Sequence, residues 1–339
     1  MRSKQNLPWG SISVATVLCA AAASTQGAKS AAAECPFSWK PGDGLPGLDG
    51  LAYAMTTWDP DGPGPQAELL LVGGEFTAAG DGFANNIAAW DGTSWSALAS
   101  GTNGPVRALT LYNGELIAGG LFTTAGGVSA NRIAKWNGTS WSPLGSGMSS
   151  RVLALTVYNG ELIAGGDFFT AGGAIANNIA KWDGVSWSPL GNGMDREVYV
   201  MTTWDPDGPE PQPELLMVGG EFTVTGDVIA NNIAAWDGTS WSALGSGTTH
   251  AVLALTEYNG DLIAGGDFTA AGEVSANRIA KWDGSSWSPL GGGMNSSVEA
   301  LTVYNGDLVA GDSSSSRAMC RRSSSPRGTA PPGHRWGAV

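Results

Sequence analysis

Four carboxylates of this 339-residue chain fall at matched places: Glu75, Asp167, Glu221 and Asp267 each follow a Gly-Gly pair, and Leu121 breaks the series. Acids repeated in this way gather on one channel mouth or rim, where they can collect a cation or bind a polar ligand. As hairpin ends they serve equally well as solvated carboxylates. A second set lies in two "DPDG" stretches, Asp59 and Asp61 with their twins Asp205 and Asp207. Calcium, a hard ion that wants clustered oxygens, suits paired carboxylates on a turn. The stretch lacks the further ligands of an EF-hand, and Pro-rich turn chemistry accounts for it as well. Calcium is the only cofactor these residues suggest.

The catalytic inventory is thin. His250 is the one histidine of the repeated region, at a unit boundary and without counterparts. No zinc spacing, phosphate loop or nucleophile elbow is present. No catalytic residue is assigned, and a non-enzyme is the expectation.

The elements that carry these residues follow from composition and repetition. The chain has 51 Gly, 15 Trp, 14% charged residues and a net charge of −13. Such a body reads as many short strands joined by tight turns. Its acidity disfavours nucleic acid, whose phosphates need a basic face. At the N-terminus, Arg2 and Lys4 precede the apolar run "ISVATVLCAAAA", with small residues after it. Residues 1–33 read as a secretory segment with cleavage expected after Ala23, Ala28 or Ala33, and the run is too short for a transmembrane helix. A secreted, periplasmic or cell-surface location follows. Cys35 and Cys320 then remain, too few for a disulfide framework.

The phrases "VRALTLYNGELIAGG" from Val106, "VLALTVYNGELIAGG" from Val152, "VLALTEYNGDLIAGG" from Val252 and "VEALTVYNGDLVAG" from Val298 recur. Longer units near Leu51 and Val198 carry the inserts, and positions 146 apart match, so a three-unit block is used twice. Units fall near 51–105, 106–151, 152–197, 198–251, 252–297 and 298–311. Within a unit, "ALTVY" ends at Asn159-Gly160, a hairpin turn, and "ELIAGG" returns with a Gly pair that marks close backbone approach. "IAKW" and "SWSPLG" follow across Asp183-Gly184. Four antiparallel strands per unit make a propeller blade. Trp pairs five apart, such as Trp182 and Trp187, recur in every complete unit. Repeated core positions explain them better than a sugar-stacking surface does.

The Gly-Gly after the second strand, with Trp at the fourth, resembles the kelch-type blade of the galactose oxidase central domain. The fuller phrase "GGDFTAAGEVSANRIAKWDGSSWSPLGGGM", Gly265 to Met294, more closely resembles repeats of the fungal cortical cell-polarity marker family and bacterial secreted relatives. Galactose oxidase chemistry implies copper held by His and Tyr, with a Cys–Tyr link. One His in the repeats cannot supply it.

The end of the chain departs from the pattern. The repeat predicts Trp at 328 and 333, where Gly328 and Gly333 stand. Reading each codon one base earlier permits Trp at both places. Residues 312–339 are therefore expected to be a frameshifted, disordered tail. At the other end, "FSWKPGDGLPGLDG" from Phe37 resembles an outer strand that would complete the broken last blade.

The expectation is an all-β chain: a β-propeller over 34–311 with four-stranded antiparallel blades, six in number, the last composite or incomplete. Its function is that of an exported non-catalytic module for binding, adhesion or surface scaffolding, with a protein or glycan partner on a cell surface. The alternative is a carbohydrate-binding or carbohydrate-active protein with a site in the central channel.

Overall fold

A computed structural model describes residues 47–312, apart from 63, 207 and 209–212, together with the backbone of 318–321 and 337–338. The described residues form strands and turns without a helix. Six four-stranded antiparallel sheets follow one another along the chain. The fold is a β-propeller of six blades. Blade 3 shows the plan: Val152–Tyr158, Glu161–Gly166, Ile179–Trp182 and Trp187–Pro189, paired in that order. The inner strand of each blade packs against that of the next, from Leu51–Trp58 in blade 1 to Val298–Tyr304 in blade 6.

Antiparallel pairing sets two ends on each blade. The Asn-Gly and Asp-Gly turns share one end, with Asn159 and Gly160 at φ of 49° and 76° as such a turn requires. At the other end lies a feature that the sequence reading left as a plain connection. In blades 1–5 it contains a two-stranded hairpin, Thr170–Ala171 with Ala174–Ile175 in blade 3.

The Gly-Gly pair sets both the strand register and the blade spacing. A Cβ on Gly165 would lie 2.5 Å from Val198 Cγ1 of the next blade. A Cβ on Gly166 would overlap the carbonyl oxygen of Arg151, where the inner strand bulges between Val152 and Ala154. The first glycine thus admits the neighbouring blade and the second admits the bulge.

Between blades lie apolar layers. The layer joining blades 3 and 4 sets Ile163, Ile179 and Leu190 against Met201, Val218, Phe222 and Trp236. The Trp pairs belong here. Trp182 and Trp187 stand 5.3 Å apart with planes tilted by 48°. Trp187 Nε1 donates to Leu144 O of blade 2 at 3.0 Å, and Trp141 does the same to Leu98 O. Both rings of each pair are buried in blades 2–5, so they are core elements there and present no sugar-stacking surface.

The turn at the Trp pair is closed by an aspartate. Asp91 Oδ1 accepts from the Thr93 amide, the Thr93 hydroxyl and the Ser94 amide, each at 2.7 Å. Asn137 occupies the same place in blade 2, with the Thr139 and Ser140 amides at 3.0 and 2.9 Å. The Thr93 hydroxyl, followed by the Ser94 and Thr93 amides, holds the Asp91 carboxyl down from 3.8 to about 2. A pKa lowered in the folded state means that the anion favours folding at higher pH. That contribution is complete above the unfolded value and is lost as pH falls through about 2. Carboxyl-detected NMR should place the Asp91 midpoint near 2, and Asp91→Asn should abolish this acid dependence while keeping the turn, as Asn137 does; a midpoint near 4 would contradict the cage.

In blade 6 the second strand, Asp307–Asp312, pairs with Ala318–Arg321, and that strand pairs with Gly337–Ala338. Gly311 meets Ala318, whereas in blade 5 Gly265 meets Ile279, so the connection between these strands is shorter in blade 6. Most of the expected disordered tail, 313–317, 322–336 and 339, lies outside the described residues. So do the expected secretory segment, Cys35 and the start of the expected N-terminal strand. The end of that stretch is described: Gly47 O accepts from Gly80 N, as Gly147 O does from Gly172 N at the exit of blade 2.

Candidate functional site

The hairpin end of the propeller gathers the chemistry. Glu75, Asp167, Glu221 and Asp267 all lie there, at or just past the end of the second strands. Beside them come the residues that bulge from the inner strands, Tyr53, Arg107, Tyr199 and Glu299, because each bulge turns one extra side chain toward its neighbours. The Tyr53 hydroxyl donates to Glu75 at 3.0 Å, and its twin Tyr199 donates to Glu221 at 3.2 Å. Arg107 of blade 2 stacks 3.7 Å above the Tyr53 ring. Arg151 Nε donates to Asp167 at 3.1 Å and lies 3.9 Å from Glu197 of blade 4. Arg278 Nε sits 3.5 Å from Asp267 Oδ1, an ion-pair contact too long and misaligned to be a hydrogen bond, while Ser297 donates to the same oxygen.

This mouth is therefore a mixture of arginine, tyrosine and acid in contact with one another rather than a ring of free carboxylates, although Arg107 Nε and Arg278 Nε have no hydrogen-bond partner among the described residues. Burial pushes the Tyr199 hydroxyl up, and the Glu197 and Glu221 charges push it further. Burial also raises Glu299, with Asp267 adding to the effect. His250 is exposed, and its carbonyl accepts from the Thr248 hydroxyl, a bond that Gly104 makes with Thr102 in blade 2. The backbone there repeats and the imidazole does not.

Asp59, Asp61 and Asp205 lie at the opposite end, beyond the inner strands of blades 1 and 4, so among the described residues the two sets of candidate acids do not meet. Asp59 Oδ1 accepts the Asp61 amide at 3.3 Å, and Asp61 Oδ2 accepts the Gln66 amide at 3.2 Å. These are turn-closing bonds. Asp205 is half-buried and Asp207 lies outside the described residues. Among the described residues no three His, Cys, Asp or Glu side chains cluster closely enough to hold a metal ion.

The two ends differ in kind. Arg107, Arg132, Arg151, Arg196 and Arg278 all stand at the hairpin end, whereas Lys135, Lys181 and Lys281 stand near the turn end, each bonded to Glu115, Glu161 or Asp261. The small hairpins also expose large apolar side chains: Phe83 at 90%, Ile229 at 74%, Ile175 at 71% and Phe169 at 70%. Sequence reasoning overlooked these residues. Their signal was departure from the repeat, since Ser129 and Ser275 take the place of Phe83, Ile175 and Ile229 in the other two hairpins.

The sequence profile of the Rax2 C-terminal beta propeller domain matches residues 63–246. The chain belongs to this family. The match spans blades 1–4 of the Rax2-family propeller, including most of the first insert and the second. No curated protein sequence matches the chain. Among solved structures, the extracellular domain of BT4673 from B. thetaiotaomicron is similar at 11% identity and a TM-score of 0.53, over 81% of this chain and 33% of that one. A second structure of that domain, described as from a hybrid two-component system, gives 12% identity and 0.53, over 83% and 32%. The computationally designed Ika8 protein shares 18% identity over 81% of this chain and 73% of its own, with a TM-score of 0.49. The Rax2-family chain thus spans about a third of the BT4673 domains, and at these identities the likeness is one of fold.

Proposed function

We propose that this Rax2-family propeller is an exported, non-catalytic binding module of the cell surface, and that its hairpin face docks a protein partner. The observation that carries the reading is the composition of that face. Exposed Phe83, Ile175 and Ile229 share it with all five arginines of blades 1–5. Aromatic residues and arginine are what protein interfaces enrich, and lysine is what they deplete. The turn end carries the lysines. Export rests on the leader-like residues 1–33 and fits a surface role. Among the described residues no helix is long and apolar enough to cross a membrane. The repeat resemblance to the cortical cell-polarity marker family points the same way. The carboxylates Glu75, Asp167, Glu221 and Asp267 each accept a hydrogen bond from a tyrosine, arginine or serine, which favours a scaffold over a general acid–base site.

The test replaces Phe83, Ile175 and Ile229 together by serine, the residue of blades 2 and 5. Surface cross-linking should identify a partner whose yield falls at least about ten-fold in this variant, the scale of losing interface anchors. Val185→Thr at the turn end, 83% exposed in the parent, should leave the yield unchanged. Equal losses in both variants, or none in either, would overturn the assignment of this face.

A further inference from the structure

The boundary between blades 3 and 4 is also the boundary between the two halves of the duplicated block, and there the repeat's packing rules lapse. Trp141, Trp187 and Trp287 donate their indole N–H to a leucine carbonyl of the preceding blade at 2.8–3.0 Å. Trp241, at the same place in blade 4, is buried and its Nε1 has no acceptor among the described residues. In blades 1, 2, 3 and 5 the hairpin glycine sits directly over the Trp edge. A Cβ there would lie 3.2, 2.7, 3.4 or 3.0 Å from Cδ1 of Trp95, Trp141, Trp187 or Trp287, but a Cβ on Gly226 would be 4.0 Å from Cδ1 of Trp241. The cause lies next door. Thr225 replaces the alanine of the other four hairpins, is fully buried, and turns its hydroxyl to Gly193 O. The added bulk lengthens the Gly226 N–Gly193 O bond to 3.1 Å, against 2.8 Å for Gly172–Gly147. A crevice of about 320 Å³ opens on the hairpin face, lined by Phe169, Asn192, Asp195, Val224 and Gly226.

Two of those residues are peculiar to this boundary. Phe169 stands where blades 1, 2, 4 and 5 have Thr77, Thr123, Thr223 and Thr269. In blades 1 and 4 that threonine hydroxyl bonds to Asp49 or Asp195, so the phenylalanine gives up a structural bond and exposes an aromatic face instead. Asn192 stands where Ser100, Ser146, Ser246 and Gly292 stand elsewhere. Its side-chain amide is exposed, and it offers a donor and an acceptor together.

We propose that this crevice is a binding site for a neutral saccharide. The Phe169 ring takes the apolar face of the sugar and the Asn192 amide takes its hydroxyls. An anionic ligand is disfavoured because the Asp195 carboxylate lines the crevice, and a cationic one because both carboxylate oxygens already accept bonds from the Thr223 amide, the Thr223 hydroxyl and the Val224 amide. An extended peptide is disfavoured because the backbone of the walls is spent. Phe169 N donates to Ser149 Oγ, Phe169 O accepts from Ala176 N, and Asp195 N donates to Val224 O. Strand addition needs such groups free. A compact ring carrying hydroxyls needs only the side chains, and the volume is at the small end of ligand sites.

The proposal is tested on the isolated full chain, without any protein partner, so its outcome is independent of the docking face above. A panel of glucose, galactose, mannose, xylose, N-acetylglucosamine and their short oligomers is titrated against labelled protein, and the Phe169 ring and Asn192 amide resonances are followed. At least one sugar should give saturable shifts at both residues. Phe169→Thr should weaken it about ten-fold or more, and Asn192→Ser several-fold. Both replacements restore the residue of other blades, so an unchanged melting temperature separates loss of binding from loss of fold. Absence of saturable shifts with every sugar, unaltered affinity in Phe169→Thr, or shifts at these residues only with an extended peptide control would each overturn the assignment.

Discussion

Gly165→Ala is expected to lower the unfolding free energy by about 1–3 kcal/mol, while Gly311→Ala, at the same position of blade 6, should change it by less than about 0.5 kcal/mol. The difference comes from what stands opposite. The added methyl on Gly165 meets Val198 Cγ1 at 2.5 Å and Met201 Cε at 3.3 Å, in a layer where Val198 is wholly buried. Interblade side chains are close-packed, so the blades must part or a rotamer must strain. Among the described residues the methyl on Gly311 finds only Ala300 of its own blade, at 3.8 Å. Denaturant melts of the two variants give the comparison directly. Equal costs would mean that the glycine serves strand conformation within a blade and not the approach of the next one.

Trp187→Ala is expected to be costlier, at about 3–5 kcal/mol, the range for removing a large buried aromatic side chain. Three losses combine. The ring leaves a void in the layer with Phe168 and Leu144, its tilted contact with Trp182 disappears, and Leu144 O loses one of its two donors. Trp95→Ala should cost clearly less, because Trp95 is only half-buried among its neighbours in blade 1. Chemical denaturation followed by the remaining tryptophan fluorescence tests both. A larger effect at Trp95 than at Trp187 would contradict the view that each second tryptophan ties its blade to the preceding one. Nearest-neighbour coupling of this kind is what a radial repeat predicts.

Much of the fold was open to inspection because the chain repeats itself. A position retained in five copies, such as the Gly pair or the Trp pair, has to satisfy the same neighbours five times, and its physical role can be deduced from spacing alone. The two-stranded hairpin was missed because strands of two residues, joined by Gly172 and Gly173 at φ of 60° and 90°, have too short a period to register. The Lys–acid pairs also went unnoticed. Lys181 meets Glu161 at 2.9 Å across strands, and where blades 1 and 4 have Ala89 and Ala235 in place of the lysine, Leu69 and Leu215 replace the acid. That compensation sits in the sequence but needs the strand register to be seen.

The candidate site was less accessible. Glu75, Asp167, Glu221 and Asp267 could be read as one set, since their place after the Gly pair puts each at the same end of its blade. Their partners were not, because Tyr53, Arg107 and Arg151 reach them only through a bulge or from an adjacent blade. The exposed hairpin residues and the crevice between blades 3 and 4 needed tertiary information for the same reason. The amino-acid order determined the number of blades, the alternation of turns and the apolar layers, all of which depend on local period and on contacts that recur. Only the packed structure decided which acids are already neutralised, which apolar residues face water, and where Thr225 forces one boundary open. Those outcomes depend on the fit between non-identical copies, and a repeat read along the chain averages that fit away.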